Sequence, residues 1–177
     1  MPRLTQPVTQ QDHIFGPATA PVTLVEYGDF ECPHCGEAYP VIQQILKEMG
    51  DQIRFVYRHF PLTETHPHAG EAAEAAEAAG AQGSFWEMHS ILFEHQDELR
   101  SENLVQYAQN LGLNIERFRT DLEEHIYQRL VEEDFISGVR SGVNGTPTFF
   151  INAERMDQPW SYDILIEVLQ AAIRENS

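Results

Sequence analysis

Cysteine, lysine and long apolar runs are scarce in this chain, and each scarcity removes a class of function. Two cysteines in 177 residues are too few for a disulfide-stapled mini-protein or a Cys₄ zinc site. Lys47 is the single lysine, and 11 basic side chains stand against 28 acidic ones, a net charge of −17. A nucleic-acid partner bound through a basic face is thereby excluded, since phosphate recognition depends on Lys and Arg. No stretch approaches the ~18–20 apolar residues that span a bilayer. Met1 to Gln6 lacks the charged start and apolar run of a signal peptide. The sequence as written is therefore expected to be cytoplasmic, or periplasmic if a leader has been removed. What is present suits a globular fold. A hydrophobic content of 42% is too high for a disordered acidic tail, and the length is ample for burying a core.

Residues 1–20 are polar and read as an N-terminal arm. Val22-Thr23-Leu24-Val25-Glu26-Tyr27 is β-branched and aromatic, with Gly28 behind it, and reads as a strand. A helical pattern through Val41, Ile42, Ile45, Leu46 and Met49 stops at Gly50, and Ile53 to Tyr57 alternates as a second strand. Strand, helix and strand within about forty residues make a βαβ unit with a parallel pair. From His66 to Gly142 helices follow one another. Glu71 to Gly80 is a strong helix former whose glutamates recur every three residues and leave an alanine face for packing. Ser84 and Glu87 read as a capping box, with Phe85, Met88, Leu92 and Phe93 on one stripe. Leu104 to Leu111, Ile115 to Ile126 and Glu132 to Val139 complete the block. Thr146 to Ile151 then reads as a third strand, Asn152-Ala153-Glu154 as a turn, and Ser161 as the cap of a last helix. The expected fold class is α/β. A sheet domain (21–62 and 143–177) is interrupted by an all-helical insertion (63–142), the whole forming one compact domain.

The two cysteines stand three apart, as Cys32-Pro33-His34-Cys35, directly after a strand and at the start of a helix. Free backbone N–H groups and the macrodipole there favour an anion. They lower the pKa of Cys32, and the thiolate is the attacking species in disulfide exchange. Cys35, one turn further in, can reach the Cys32 sulfur and resolve a mixed disulfide. Pro33 occupies a position where its missing N–H costs nothing. His34 can donate to the thiolate or place positive charge beside it. Glu26, six residues upstream, could shuttle a proton for Cys35 if buried. Thr146-Pro147 opens a strand in a manner suited to a sheet edge. A cis bond there would present the preceding backbone polar groups to an extended substrate.

Other readings of the pair remain open. A metal-binding or metallochaperone module would use the same thiolates, with His66-Pro67-His68 as the nearest further ligands, although that spacing is unusual for zinc. A redox-sensing interaction protein would use the cysteines only as a switch.

Taken together, Cys32-Pro33-His34-Cys35, Glu26, Gly145-Thr146-Pro147 and the helical insertion resemble the thiol–disulfide oxidoreductases of the thioredoxin superfamily, in its DsbA-like branch. Phe60-Pro61-Leu62, His66-Pro67-His68-Ala69 and Phe85-Trp86-Glu87-Met88-His89 resemble single-domain bacterial members. The likeness runs over residues 12–175. It implies a thioredoxin-like fold with Pro147 cis, contacting both cysteines and the substrate backbone. It also implies protein thiol and disulfide substrates, a redox partner that resets the pair, and no cofactor beyond the redox-active disulfide Cys32–Cys35. Thr146 stands where the oxidase of that branch usually has Val, and Thr is more familiar in isomerase-type relatives. The direction of exchange is therefore left open.

Overall fold

The computed structural model describes residues 2–176. The β-branched run after the arm forms β2 (Val22–Gly28), and the alternating segment forms β3 (Ile53–His59). Between them runs α1 (Pro33–Met49), with Pro40 inside it removing one backbone donor. β4 (Thr148–Ile151) and β5 (Glu154–Arg155) form a hairpin. Its turn residues Asn152 and Ala153 sit at φ 49° and 73°, the positive angles that a tight right-twisted hairpin requires.

The five-stranded mixed sheet has the order β1-β3-β2-β4-β5. β1 (His13–Phe15) lies in the polar arm, where composition gives no strand signal, and pairs antiparallel with β3 through His13–Tyr57 and Phe15–Phe55. Arg58 explains why the arm is held. Its buried guanidinium donates to both carboxylate oxygens of Asp12 (2.9 and 3.1 Å), to the Tyr27 hydroxyl and to the Pro7 carbonyl. β4 is not an edge strand, as the Thr146-Pro147 pattern suggested, because β5 covers it. Pro147 precedes the first ladder residue, so its missing N–H costs the sheet nothing.

The helices are α2 (Ala69–Gly80), α3 (Phe85–Glu94), α4 (Ser101–Asn110), α5 (Ile115–Glu123), α6 (Gln128–Arg140) and α7 (Tyr162–Glu175). Ser161 caps α7, accepting from the Ile164 N–H. The Ser84–Glu87 capping box does not form: Ser84 makes no side-chain cap bond, its backbone lying at φ −127°, ψ 36°. Ile126 falls beyond the end of α5 and is exposed, so it does not continue that helix's apolar stripe.

The chain divides into two compact units. The sheet unit comprises residues 2–28, 37–58 and 136–176, and the helical unit residues 29–36 and 59–135. Val22, Leu24, Val25, Val56, Phe150, Leu165 and Leu169 are sealed in the sheet unit, where each large apolar side chain contributes ~1.5–3 kcal/mol. In the helical unit Phe30, Phe85, His89 and Phe93 form an aromatic cluster, with Phe30 and Phe93 ring centres 4.8 Å apart.

Candidate redox site

Cys32 is the N-terminal cap of α1. Its N–H donates to the Asp29 carbonyl (3.1 Å), and its own carbonyl accepts the first intrahelical bond from Gly36 (3.0 Å). Pro33 is therefore the first helical residue, His34 the second and Cys35 the third. Side chains at a cap position face the N–H groups of the second and third residues, here His34 and Cys35. No acidic residue lies in the first turn of α1, so no carboxylate there competes for the positive end of the dipole. Cys32 is 3% exposed and Cys35 fully buried, whereas Pro33 and His34 are exposed.

The loop ahead of Cys32 is held by residues that motif reading misses. Asp29 is buried, and its carboxylate accepts from the Glu31 N–H (2.7 Å), the Leu62 N–H (2.9 Å) and His66 Nδ1 (2.8 Å). Glu31 in turn accepts from the His68 N–H (2.9 Å). His66-Pro67-His68 thus meets the cysteine loop through carboxylates. Gln96 donates from Nε2 to the Phe30 carbonyl (2.9 Å) and the Cys32 carbonyl (2.8 Å). Among the described residues no group of three or more His, Cys, Asp and Glu is placed to hold a metal ion.

In the sheet unit, Glu26 is buried on β2 opposite Phe149 of β4. Gly28 makes room beside it: a Cβ at that position would lie 2.7 Å from the Tyr57 hydroxyl and 2.8 Å from Glu26 Oε2. The Thr146–Pro147 peptide is cis. Thr148 Oγ1 donates to the Gly145 carbonyl (2.7 Å), tying the loop to the strand it opens. A shallow groove of about 270 Å³ adjoins Pro147, lined by Phe149, Met156, Asp157 and Trp160 among others. The structure thus gathers Cys32, Pro33, His34 and Cys35 into the helical unit, and Glu26, Thr146 and Pro147 into the sheet unit.

A family profile described as Thioredoxin matches residues 8–171. The chain belongs to the thioredoxin family. Its thioredoxin-like fold is shared with BdbD from Bacillus subtilis, at a TM-score of 0.85 and 24% identity over 98% of each chain. α-DsbA1 from Wolbachia pipientis gives 0.82 and 18%, over 98% of this chain and 96% of that one. At these identities the likeness is one of fold. In sequence, this thioredoxin-family chain is 48% identical over 163 residues to a Na(+)/H(+) antiporter NhaA 3 of Salinispora tropica, covering 92% of this chain and 24% of the relative. The chain spans about a quarter of the length of the curated relatives it matches. No helix among its described residues is long and apolar enough to cross a membrane.

Proposed function

We propose that the chain is a DsbA-like thiol–disulfide oxidoreductase acting on protein substrates, with Cys32 as nucleophile and Cys35 as resolving thiol. The position of Cys32 as the cap of α1 carries this reading. A thiolate there accepts from backbone N–H groups and meets the positive helix end, which holds its pKa down. In the reducing direction the Cys32 thiolate attacks one sulfur of a substrate disulfide. A mixed disulfide forms and the other substrate sulfur leaves as thiolate. Cys35, deprotonated, then attacks the Cys32 sulfur, closing Cys32–Cys35 and releasing the second substrate thiolate. The reverse sequence oxidises a substrate dithiol, and a separate redox partner resets the pair.

His34, exposed at the second helical position, tunes the thiolate. Glu26 is the proton carrier for Cys35, and Thr146-Pro147 meets the substrate backbone. This chain is assigned the thiol chemistry; ion exchange stays with the longer relatives named for it.

Cys32→Ser is expected to abolish insulin reduction and thiol oxidation, and Cys35→Ser to accumulate mixed disulfides through Cys32. A Cys32→Ser protein that retains the full rate overturns the reading. The direction follows from the glutathione equilibrium: a potential near about −120 mV indicates an oxidase, and one near about −270 mV a reductase.

A further inference from the structure

We propose that Gln96 is a positioning residue of the redox turn, its side-chain amide setting the acidity of the Cys32 thiol through the backbone that carries it. The inference rests on the disulfide-exchange reading. Gln96 lies in the turn after α3, where Glu98 N–H donates to the His95 carbonyl (2.9 Å) and His95 Nδ1 meets the Ile91 carbonyl (2.8 Å). From there it reaches a segment more than sixty residues earlier in the chain. A primary amide has two N–H donors, and here both are spent on the cysteine loop, one on Phe30 and one on Cys32. The Cys32 carbonyl also accepts from Gly36, so both of its lone pairs are engaged.

Gly36 supplies the seat. A Cβ at that position would lie 2.1 Å from Gln96 Oε1 and 2.7 Å from its Cδ, so the amide can rest on the first turn only because residue 36 has no side chain. The physical effect has a definite sign. Carbonyl oxygens are the negative ends of peptide dipoles, and those of Phe30 and Cys32, in the turn that carries the thiol, add a negative potential that opposes a thiolate's charge. Donors placed on both oxygens cancel part of that opposition and favour the ionised sulfur. The same two bonds fix the direction of the Cys32 backbone, and hence of its Cα–Cβ bond.

Gln96→Met keeps the side chain's length and removes both donors. In the full chain, the Cys32 thiol is expected to titrate about one pH unit higher by ultraviolet thiolate absorbance. The glutathione equilibrium is expected to move about tenfold toward the disulfide. A folded Gln96→Met protein with both readouts unchanged overturns the proposal. If that variant does not fold, the double variant Gln96→Ala with Gly36→Ala fills the vacated seat. It should show the same shift, and an unshifted titration in it overturns the proposal equally. Gly36→Ala alone should be more destabilising than in the Gln96→Ala background, and additive effects would deny the seat. The titration needs no turnover. A shifted thiol in a chain that exchanges no disulfides would therefore refute the exchange reading while leaving the role of Gln96 standing.

Discussion

Gly28 closes β2 where Tyr57 and Glu26 converge, and a single carbon added there meets both. A methyl group there would press to 2.6 Å from the Tyr57 ring and 2.8 Å from a Glu26 oxygen. Both neighbours are themselves buried in the sheet unit. Overpacking of this kind typically costs about 1–3 kcal/mol. Gly28→Ala is therefore expected to lower the urea midpoint with the denaturant slope unchanged, and an unmoved midpoint would show that Tyr57 gives way freely. Residues of this sort mark the limit of what the sequence makes legible. Cys32, Pro33, His34 and Cys35 stand in one short string between a strand and a helix, so the local order of residue types carries the chemistry. Asp29 and Gln96 do not. The partners of Asp29 at Leu62 and His66 are more than thirty positions away. Gln96 sits in Glu94-His95-Gln96-Asp97-Glu98, a polar run with the composition of any solvated turn. The nearest signal was an acid three residues before the first cysteine.

Among the elements, α2 shows how period and partner separate. Its alanines are buried at 0–2% exposure, as a close-packing face requires, but Glu74 and Glu77 are buried as well. Glu77 meets His59 Nε2 at 2.8 Å, and Glu74 meets His125 Nδ1 at 3.1 Å. A three-residue glutamate repeat cannot foretell this, because the histidines arrive from β3 and from the turn after α5. Burial by itself would lower the pKa of His59. The hydrogen bond and charge of Glu77, with Asp134 behind them, raise it above the ordinary value of 6.5. A cation with a raised folded pKa lends stability that is complete below its unfolded pKa and is lost as pH climbs through the folded one. Removing one partner of a buried pair costs about 3–5 kcal/mol. Glu77→Gln should therefore destabilise most near about pH 6, and less as His59 loses its proton in the parent. Chemical denaturation at about pH 6 and again well on the alkaline side of it checks this, and a penalty equal at both would mean that His59 does not change protonation between them. β2, β3 and α7 match their expected segments, since β-branched and aromatic runs buried almost throughout and a side-chain cap at Ser161 agree with the packing. β1 has no signal in composition, because three residues pinned through Arg58 and Asp12 need no propensity of their own.

For the molecule as a whole, a net charge of −17 works against compaction. Surface pairs such as Arg3–Glu154 and Arg129–Glu133 are too exposed to offset much of it. Raising ionic strength from about 0.01 to 0.15 M shortens the Debye length from about 30 to about 8 Å. The melting temperature is expected to rise by several degrees over that range as self-repulsion is screened. A fall would show that specific ion pairs outweigh the general repulsion. The division into two units bears on how far this chain can be trimmed or recombined. Residues 29–36 belong with 59–135, so the turn bearing the cysteines is furnished by the very stretch that a minimal sheet domain would discard. A shortened chain keeping only the strands and their flanking helices would retain both thiols in its sequence. It would lose Leu62 and His66, which satisfy Asp29, and the amide that spans Phe30 and Cys32. Transplanting this redox turn into another scaffold therefore means moving a discontinuous block, with the cysteines as its smallest part.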